Sequence, residues 1–334
     1  MVYKIWLSML KGKTSAQKMQ LLRECGGFAE TYARLRESGE NIDLDLEEAK
    51  KIEQDCYRKG IWILSCREFG IPSYPGLPLI LYCRGELKPF GETFGIVGTR
   101  LCTEYGKKMT VEIAEDLAER GITIISGMAK GVDGYAHSAA IRKNGYTVAF
   151  FGNGPDICFP SEHRSLMDSI INTGLIISEY PPGFHGNAST FPQRNRLIAA
   201  FSDSVLVVES RSKGGALITA AKAREYGKKV YAVPGRLDSG ESEGTNRLIA
   251  ENKAELWLPS LHRPSCSQLS FDLPKPDPGF DPMVLKLLKQ HDGHMAAEDL
   301  AKAMGLTLAS LFNEMMELEL NDVIKTEGDI VWLL

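Results

Sequence analysis

From residue 61 to residue 258 the chain alternates short apolar, β-branched runs with amphipathic helical stretches. The runs are "IWIL", "LILYC", "FGIVG", "ITIIS", "TVAFFG", "LIISE", "SVLVVES" and "KVYAVPG". They lack the polar–apolar alternation of a half-exposed strand, so both faces of each strand must be covered. Helices such as "GKKMTVEIAEDLAERG" and "GALITAAKAREYGKK" lie between them and supply the cover. Few architectures satisfy that pattern. The fold class is α/β, with a Rossmann-like, doubly wound, mostly parallel sheet over residues 66–258.

The flanks differ in texture. Residues 1–65 read as a small helical domain, with apolar residues three and four apart in "AQKMQLLREC", "AETYARLRES" and "DLEEAKKIEQDCYRKG". Residues 259–280 are rich in Pro and Ser and read as a linker. Residues 281–334 give three helical patterns, "MVLKLLKQH", "AAEDLAKAM" and "LASLFNEMMELELND", then two β-like pieces, "VIKTEG" and "DIVWLL". That order is a winged-helix arrangement. No run approaches the ~18 apolar residues of a membrane span, and the opening "MVYKIWLSMLKGK" is too interrupted for a signal peptide. The seven cysteines are scattered without a C-x-x-C pair. The expectation is a cytoplasmic protein with no disulfide framework, no metal site and no membrane partner.

Net charge is −4, but the acid is concentrated at the end. Residues 281–334 hold 4 Lys+Arg against 10 Asp+Glu, which leaves the rest of the chain slightly basic. A winged helix that grips duplex phosphates needs the opposite balance. The tail is therefore expected to contact protein, to regulate, or to cover part of the central domain.

In an open α/β sheet, ligands bind at the carboxyl ends of the strands. Four strand-to-helix junctions there share an oddity. "GIVGTRLCTEYG" places Arg100 before a helix, and "ISGMAKGVDGYAH" places Lys130 before the next. "STFPQRNRLIAAF" sets Arg194 and Arg196 in a helix's first turn, and "VVESRSKGGALITAA" puts Arg211 and Lys213 ahead of another. Helix N-termini carry about +0.5 charge and unpaired N–H groups, so each cation there is disfavoured by ~0.3–1 kcal/mol. The repetition makes sense if anions occupy that edge. Gly98, Gly127, Gly131, Gly214 and Gly215 would let backbone and anion approach closely. Strands lie ~4.8 Å apart, so four junctions spread over roughly 15–20 Å, which suits a polyanion better than a mononucleotide. Asn153 and Asn246 lie on the same edge, where amides bond phosphate, sugar or base, or simply cap loops. Asp133 and His137 read as a helix-cap pair, and Tyr135 as packing or a base-stacking surface. No spacing demands paired carboxylates, a metal or a serine nucleophile, so no catalytic residue and no cofactor is assigned.

These stretches also carry a resemblance. "IVGTR", "SGMAKGVDGYAH", "ISEYPPG", "FPQRNRLIAAFSDSVLVVES", "GGALITA", "VYAVPG" and "GTNRLIAE", in that order, resemble the DNA-processing protein A family, also called Smf. The helical start is similar to that family's sterile-alpha-motif-like domain and the tail to its winged helix. The resemblance implies a non-enzymatic homodimer that binds single-stranded DNA during natural transformation, protects it, and helps load the RecA recombinase. Carried onto this sequence, the implied DNA-contacting residues are Arg100, Lys130, Arg194, Arg196 and Lys213; with the neighbouring residues of the same junctions, the expected DNA-binding set is Gly98, Arg100, Ser126, Gly127, Lys130, Gly131, Asn153, Arg194, Asn195, Arg196, Lys213, Gly215 and Asn246. Departures mark a divergent member: "LKGKTSAQK" lacks a G-x-G turn, and Phe159 stands where tyrosine is common.

Two other readings stay open on the residues alone. One is a nucleoside-monophosphate hydrolase of the related Rossmann family with a P-G-G-x-G-T motif, faintly echoed by "SKGGALITA". The other is a sensor of a small signalling nucleotide.

Overall fold

The structure is a computed structural model; it describes residues 1–38, 45–259, 283–306, 308, 311, 315, 318 and 323–333. The chain divides into two compact units, Met1–His262 and Arg263–Leu334.

The first unit is built on a nine-stranded sheet: β1 (Ile61–Leu64), β2 (Leu81–Gly85), β3 (Thr93–Val97), β4 (Thr123–Ser126), β5 (Thr147–Phe151), β6 (Leu175–Ser178), β7 (Ser204–Val207), β8 (Lys229–Ala232) and β9 (Glu255–Leu256), in the order β1-β2-β6-β5-β4-β3-β7-β8-β9. From β6 to β9 all pairings are parallel, while β2 runs antiparallel to β6 and β1 to β2. The strands from β3 to β6 are buried along their whole length, as their unbroken apolar runs require. Successive side chains go to opposite layers. Ile96 packs with Leu117 and Ala136 of α5 (Glu104–Glu119) and α6 (Val132–Arg142), whereas Val97 packs with Leu197 and Ala220 of α8 (Thr190–Phe201) and α9 (Ala216–Glu225). Between β5 and β6, α7 (Arg164–Thr173) adds Met167 and Ile170 to a smaller cluster with Met128 and Phe151. The last helix of this unit is α10 (Glu243–Ala250).

Four helices precede the sheet: α1 (Val2–Met9), α2 (Ser15–Cys25), α3 (Phe28–Glu37) and α4 (Glu47–Arg58). The sequence pattern identifies the last three; α1 is read there only as an interrupted apolar patch, because eight residues without a side-chain cap leave little signal. The helices share one core with the sheet. Ile5, Trp6, Leu35 and Ile52 pack against Ile61, Ile63, Ile80 and Tyr82. A boundary drawn at residue 65 therefore cuts through this core, since β1 belongs to the sheet.

In the second unit, α11 (Met283–Gln290) and α12 (Ala297–Met304) accompany a three-stranded sheet of β10 (His294–Ala296), β11 (Ile324–Glu327) and β12 (Ile330–Leu333), ordered β10-β12-β11. The hairpin expected at the end is present, with β10 added to it. Most of the third expected helix, "LASLFNEMMELELND", and the expected linker over 259–280, apart from Pro259, lie outside the described residues.

Buried in the first unit, His137 bonds through Nδ1 to Thr147 Oγ1 at 2.7 Å while its Nε2 has no partner among the described residues. Burial, with Arg194 and then His163 nearby, pushes its pKa down from 6.5 to about 3. The unfolded chain takes up this proton below 6.5 and the folded chain only near 3. Stability present above the unfolded value is thus lost progressively on acidification. Lowering pH from about 7 to about 5 is expected to cost roughly 2 kcal/mol through this residue. Urea titrations of native protein and His137→Gln test it: the variant should lose that pH slope, and an unchanged slope would contradict the assignment.

Candidate functional site

Three of the four basic junctions follow neighbouring strands, β4, β3 and β7, whose loops form one continuous carboxyl edge; the fourth, with Arg194 and Arg196 on α8, follows β6, which β5 separates from β4. The order reverses between β3 and β7, since the chain runs outward from β3 to β6 and α8 carries it back to β7. A crevice opens at such a reversal. Here it is a cavity of about 540 Å³ lined by Gly98, Arg100, Asn195, Arg211, Lys213 and Gly215, with Phe191 and Pro192 at its side.

Backbone packing holds this edge. Gly131 adopts φ +73°, and a Cβ on it would lie 2.4 Å from the Thr99 carbonyl oxygen, so the loop before α6 rests directly on the loop after β3. Val132 N–H donates to the same oxygen at 3.3 Å. From the other side the buried Glu209 carboxylate accepts from Thr103 N–H at 2.9 Å and Thr103 Oγ1 at 2.6 Å. The Gly98–Thr103 loop, and Arg100 on it, is thus clamped from both sides.

The expected site residues separate into an inner and an outer set. Arg194 belongs to the inner one. It lies in the second turn of α8, not the first, and is 4 % exposed. Its guanidinium donates to the carbonyls of Gly127 (2.5 Å) and Phe150, and through Nε to Asn195 Oδ1 at 3.2 Å. A Cβ on Gly127 would overlap that guanidinium, so this glycine makes room for an arginine and not for an anion. Burial lowers the Arg194 pKa to about 10 despite the nearby Asp133 carboxylate. Burial also pushes Asp133 up, against the pull of Arg194. Asp133 and His137 are therefore no helix-cap pair: one faces Arg194 and accepts from Ala129 N–H, the other bonds Thr147.

Three further residues turn inward. The Ser126 hydroxyl donates to Ile96 O at 2.6 Å. Asn153 is buried and donates to Ile157 O at 2.7 Å, and Asn246 exchanges two 3.0 Å bonds with the Gly235 backbone. All three spend their side chains on hydrogen bonds to the backbone of this edge. A Cβ on Gly98 would overlap Val132, so this glycine serves the packing of α6 against the loop after β3 while its backbone lines the cavity. Arg196 points away from the cavity and pairs with the mostly buried Glu179 at 2.6 Å.

The outer set comprises Arg100, Lys130, Asn195, Lys213 and Gly215, joined by Arg211. Arg100, Lys130, Lys213 and Gly215 are exposed, and nothing lies within 4 Å of the Cβ position of Gly215. Lys130 pairs with Glu162 at 2.5 Å and Arg211 with Glu241 at 2.5 Å. Arg100 and Lys213 have no carboxylate partner among the described residues. Sequence reasoning missed Phe191 in the cavity wall and the clamping role of Glu209; the Phe-Pro dipeptide in the first turn of α8 was the available signal for the first. Among the described residues no helix is long and apolar enough to cross a membrane.

Comparison with known proteins bears on the fold and the family. The model of the family described as DNA recombination-mediator protein A matches residues 49–261. Protein Smf of Synechocystis is 42% identical over 199 residues, 56% of this chain and 50% of that protein, so the chain matches about half the relative's length. The X-ray structure of DNA processing protein A from Streptococcus pneumoniae is similar with a TM-score of 0.65 and 31% identity, covering 77% of this chain and 94% of that one. DNA processing protein A from Helicobacter pylori, studied for its single-stranded DNA binding mode, gives a TM-score of 0.52 and 34% identity over 55% of this chain and 84% of that one.

The inner set predicts a stability phenotype. Arg194→Leu leaves Asp133 buried without its counter-charge and should cost about 3–5 kcal/mol. Adding Asp133→Asn should recover part of that loss, measured by urea denaturation of single and double variants. Additive losses would show that the two groups do not support each other.

Proposed function

The chain belongs to the DNA recombination-mediator protein A family, and on that premise we propose that it binds single-stranded DNA along the carboxyl edge of its sheet. The observation that carries the reading is the pair of unpartnered cations, Arg100 and Lys213, flanking the cavity between β3 and β7. Lys130 extends the positive line beyond Arg100, across the end of β4. Three neighbouring strand ends span about 10 Å, room for more than one phosphate of a strand. Asn195 and the open Gly215 stand beside the cations and offer an amide and close backbone approach.

The contacts are to phosphate, so binding is largely independent of sequence and steeply dependent on salt. The side chains bring charge and hydrogen-bond donors, and no catalytic step is assigned to them. Following the resemblance, the protein acts in the cytoplasm as a homodimer that protects incoming DNA and helps load RecA in transformation and recombination. The support for this part is family membership and the likeness to proteins named for DNA processing. The acidic residues 281–334 take no part in gripping phosphate in this reading.

Anisotropy of a labelled oligothymidine tests the site. Arg100→Glu and Lys213→Glu should each abolish binding at physiological salt while the thermal transition stays in place. The milder Arg100→Ala should reduce the slope of log K against log salt by about 0.7, one phosphate's share. A folded Arg100→Glu protein that binds like the native one would remove Arg100 from the site.

Glu162 predicts a change in the opposite direction. It occupies Lys130 in the free protein, and an exposed pair of this kind is worth at most about 1 kcal/mol. Glu162→Gln should therefore tighten oligothymidine binding by up to about fivefold, with weaker binding as the contradicting result.

A further inference from the structure

Asp156, in the loop after β5, joins three parts of the chain. Its Oδ2 accepts from Lys59 Nζ at 2.6 Å, and its Oδ1 accepts from Gly183 N–H at 2.9 Å. Lys59 directly follows α4, so one carboxylate ties the N-terminal helices to the loops after β5 and β6. Its side chain is only 13 % exposed. Burial works against the charge, but Lys59 and the Gly183 N–H outweigh burial and hold the carboxyl below its usual range. Such a charge-assisted contact is firmer than an ion pair on the open surface.

The two loops it joins are zipped together. Gly154 N–H donates to Phe184 O at 2.8 Å, and a Cβ on Gly186 would lie 2.6 Å from Gly152 O. Phe191, in the first turn of α8, rests on this assembly. Its ring lies against Gly152 and Gly186, and Phe159 of the loop after β5 stacks on it with centroids 4.9 Å apart. Phe191 also stands in the wall of the cavity between β3 and β7, whereas neither Lys59 nor Asp156 lines it. The carboxylate reaches the crevice only through these packed rings and loops.

We propose that Asp156 is a positioning residue for the carboxyl edge. Held by Lys59 on one side and by Gly183 on the other, it fixes the loops that seat Phe191 and the first turn of α8. The N-terminal helices thereby set the shape, and with it the affinity, of a crevice they do not line. This rests on the single-stranded DNA reading and adds to it a control exerted from outside the site.

The test uses variants of the full chain and oligothymidine anisotropy. Asp156→Asn keeps an oxygen for Gly183 N–H and removes the charge that holds Lys59. A carboxylate that merely stood near a polyanion would repel it, so its loss would tighten binding. Positioning demands the reverse. Asp156→Asn and Lys59→Met should each weaken binding about fivefold, the scale on which residues act on a site through packed neighbours. The slope of log K against log salt should stay native, and the double variant should lose no more than either single one. Lys59→Arg, which restores the pair, should recover most of the loss. A fluorinated phenylalanine at position 191 reports the same change without DNA: its resonance should move in Lys59→Met and return in Lys59→Arg. Native-like or tighter binding by Asp156→Asn, or an unmoved resonance, would overturn the positioning role. So would a salt slope reduced by about 0.7 in Lys59→Met, which would make Lys59 a phosphate contact. Native protein that binds no oligothymidine would instead overturn the function on which the role rests, and the resonance alone would then decide whether Asp156 positions Phe191.

Discussion

The carboxyl edge of the sheet is organised around one buried guanidinium. Arg194 reaches from α8 across the ends of β4 and β5, donating to Gly127 O and Phe150 O, and passes over a glycine that must lack a side chain to admit it. Burying a charge costs several kcal/mol unless hydrogen bonds and a counter-charge meet it. Here two carbonyls, Asn195 Oδ1 and the Asp133 carboxylate share that task. The result is a fixed angle between α8 and the sheet, and with it a fixed crevice between β3 and β7. Asn195, the next residue on α8, is carried into the cavity wall by the same arrangement.

The inner charge also shapes the outer ones. Arg100 lies close enough to Arg194 to lower its pKa further, so the two cations raise the positive potential of one small region. Arg100 cannot retreat, because Gly131 and Val132 press on its loop from one side and Glu209 holds Thr103 on the other. Lys130 is paired with the exposed Glu162, a pairing weak enough for phosphate to displace, and Arg211 with the mostly buried Glu241. The edge is thus a rigid cationic strip whose charge is only partly satisfied within the chain.

The strands were legible because burial on both faces leaves an unmistakable composition, and from "FGIVG" onward every such run is a strand of the sheet. Position along the edge was legible too: each basic junction residue sits at a strand's carboxyl end or on the helix that follows. What a linear pattern cannot show is which way a side chain turns there. Arg194, Asn153, Asn246 and Ser126 occupy the right loops and the adjoining helices but face inward, where carbonyl oxygens need donors. Arg196, two residues beyond Arg194, turns toward Glu179 because α8 rotates it by about 200°.

Reading the edge as a track for a polymer and not a pocket for a nucleotide is the central claim. The direct measurement is displacement of a labelled oligothymidine by thymidine monophosphate, followed by anisotropy at physiological salt. A strand held at several neighbouring junctions should stay bound when the mononucleotide is raised to millimolar concentration, and unlabelled oligothymidine should displace it. Release by micromolar mononucleotide would contradict the account and place a single nucleotide in the crevice between β3 and β7.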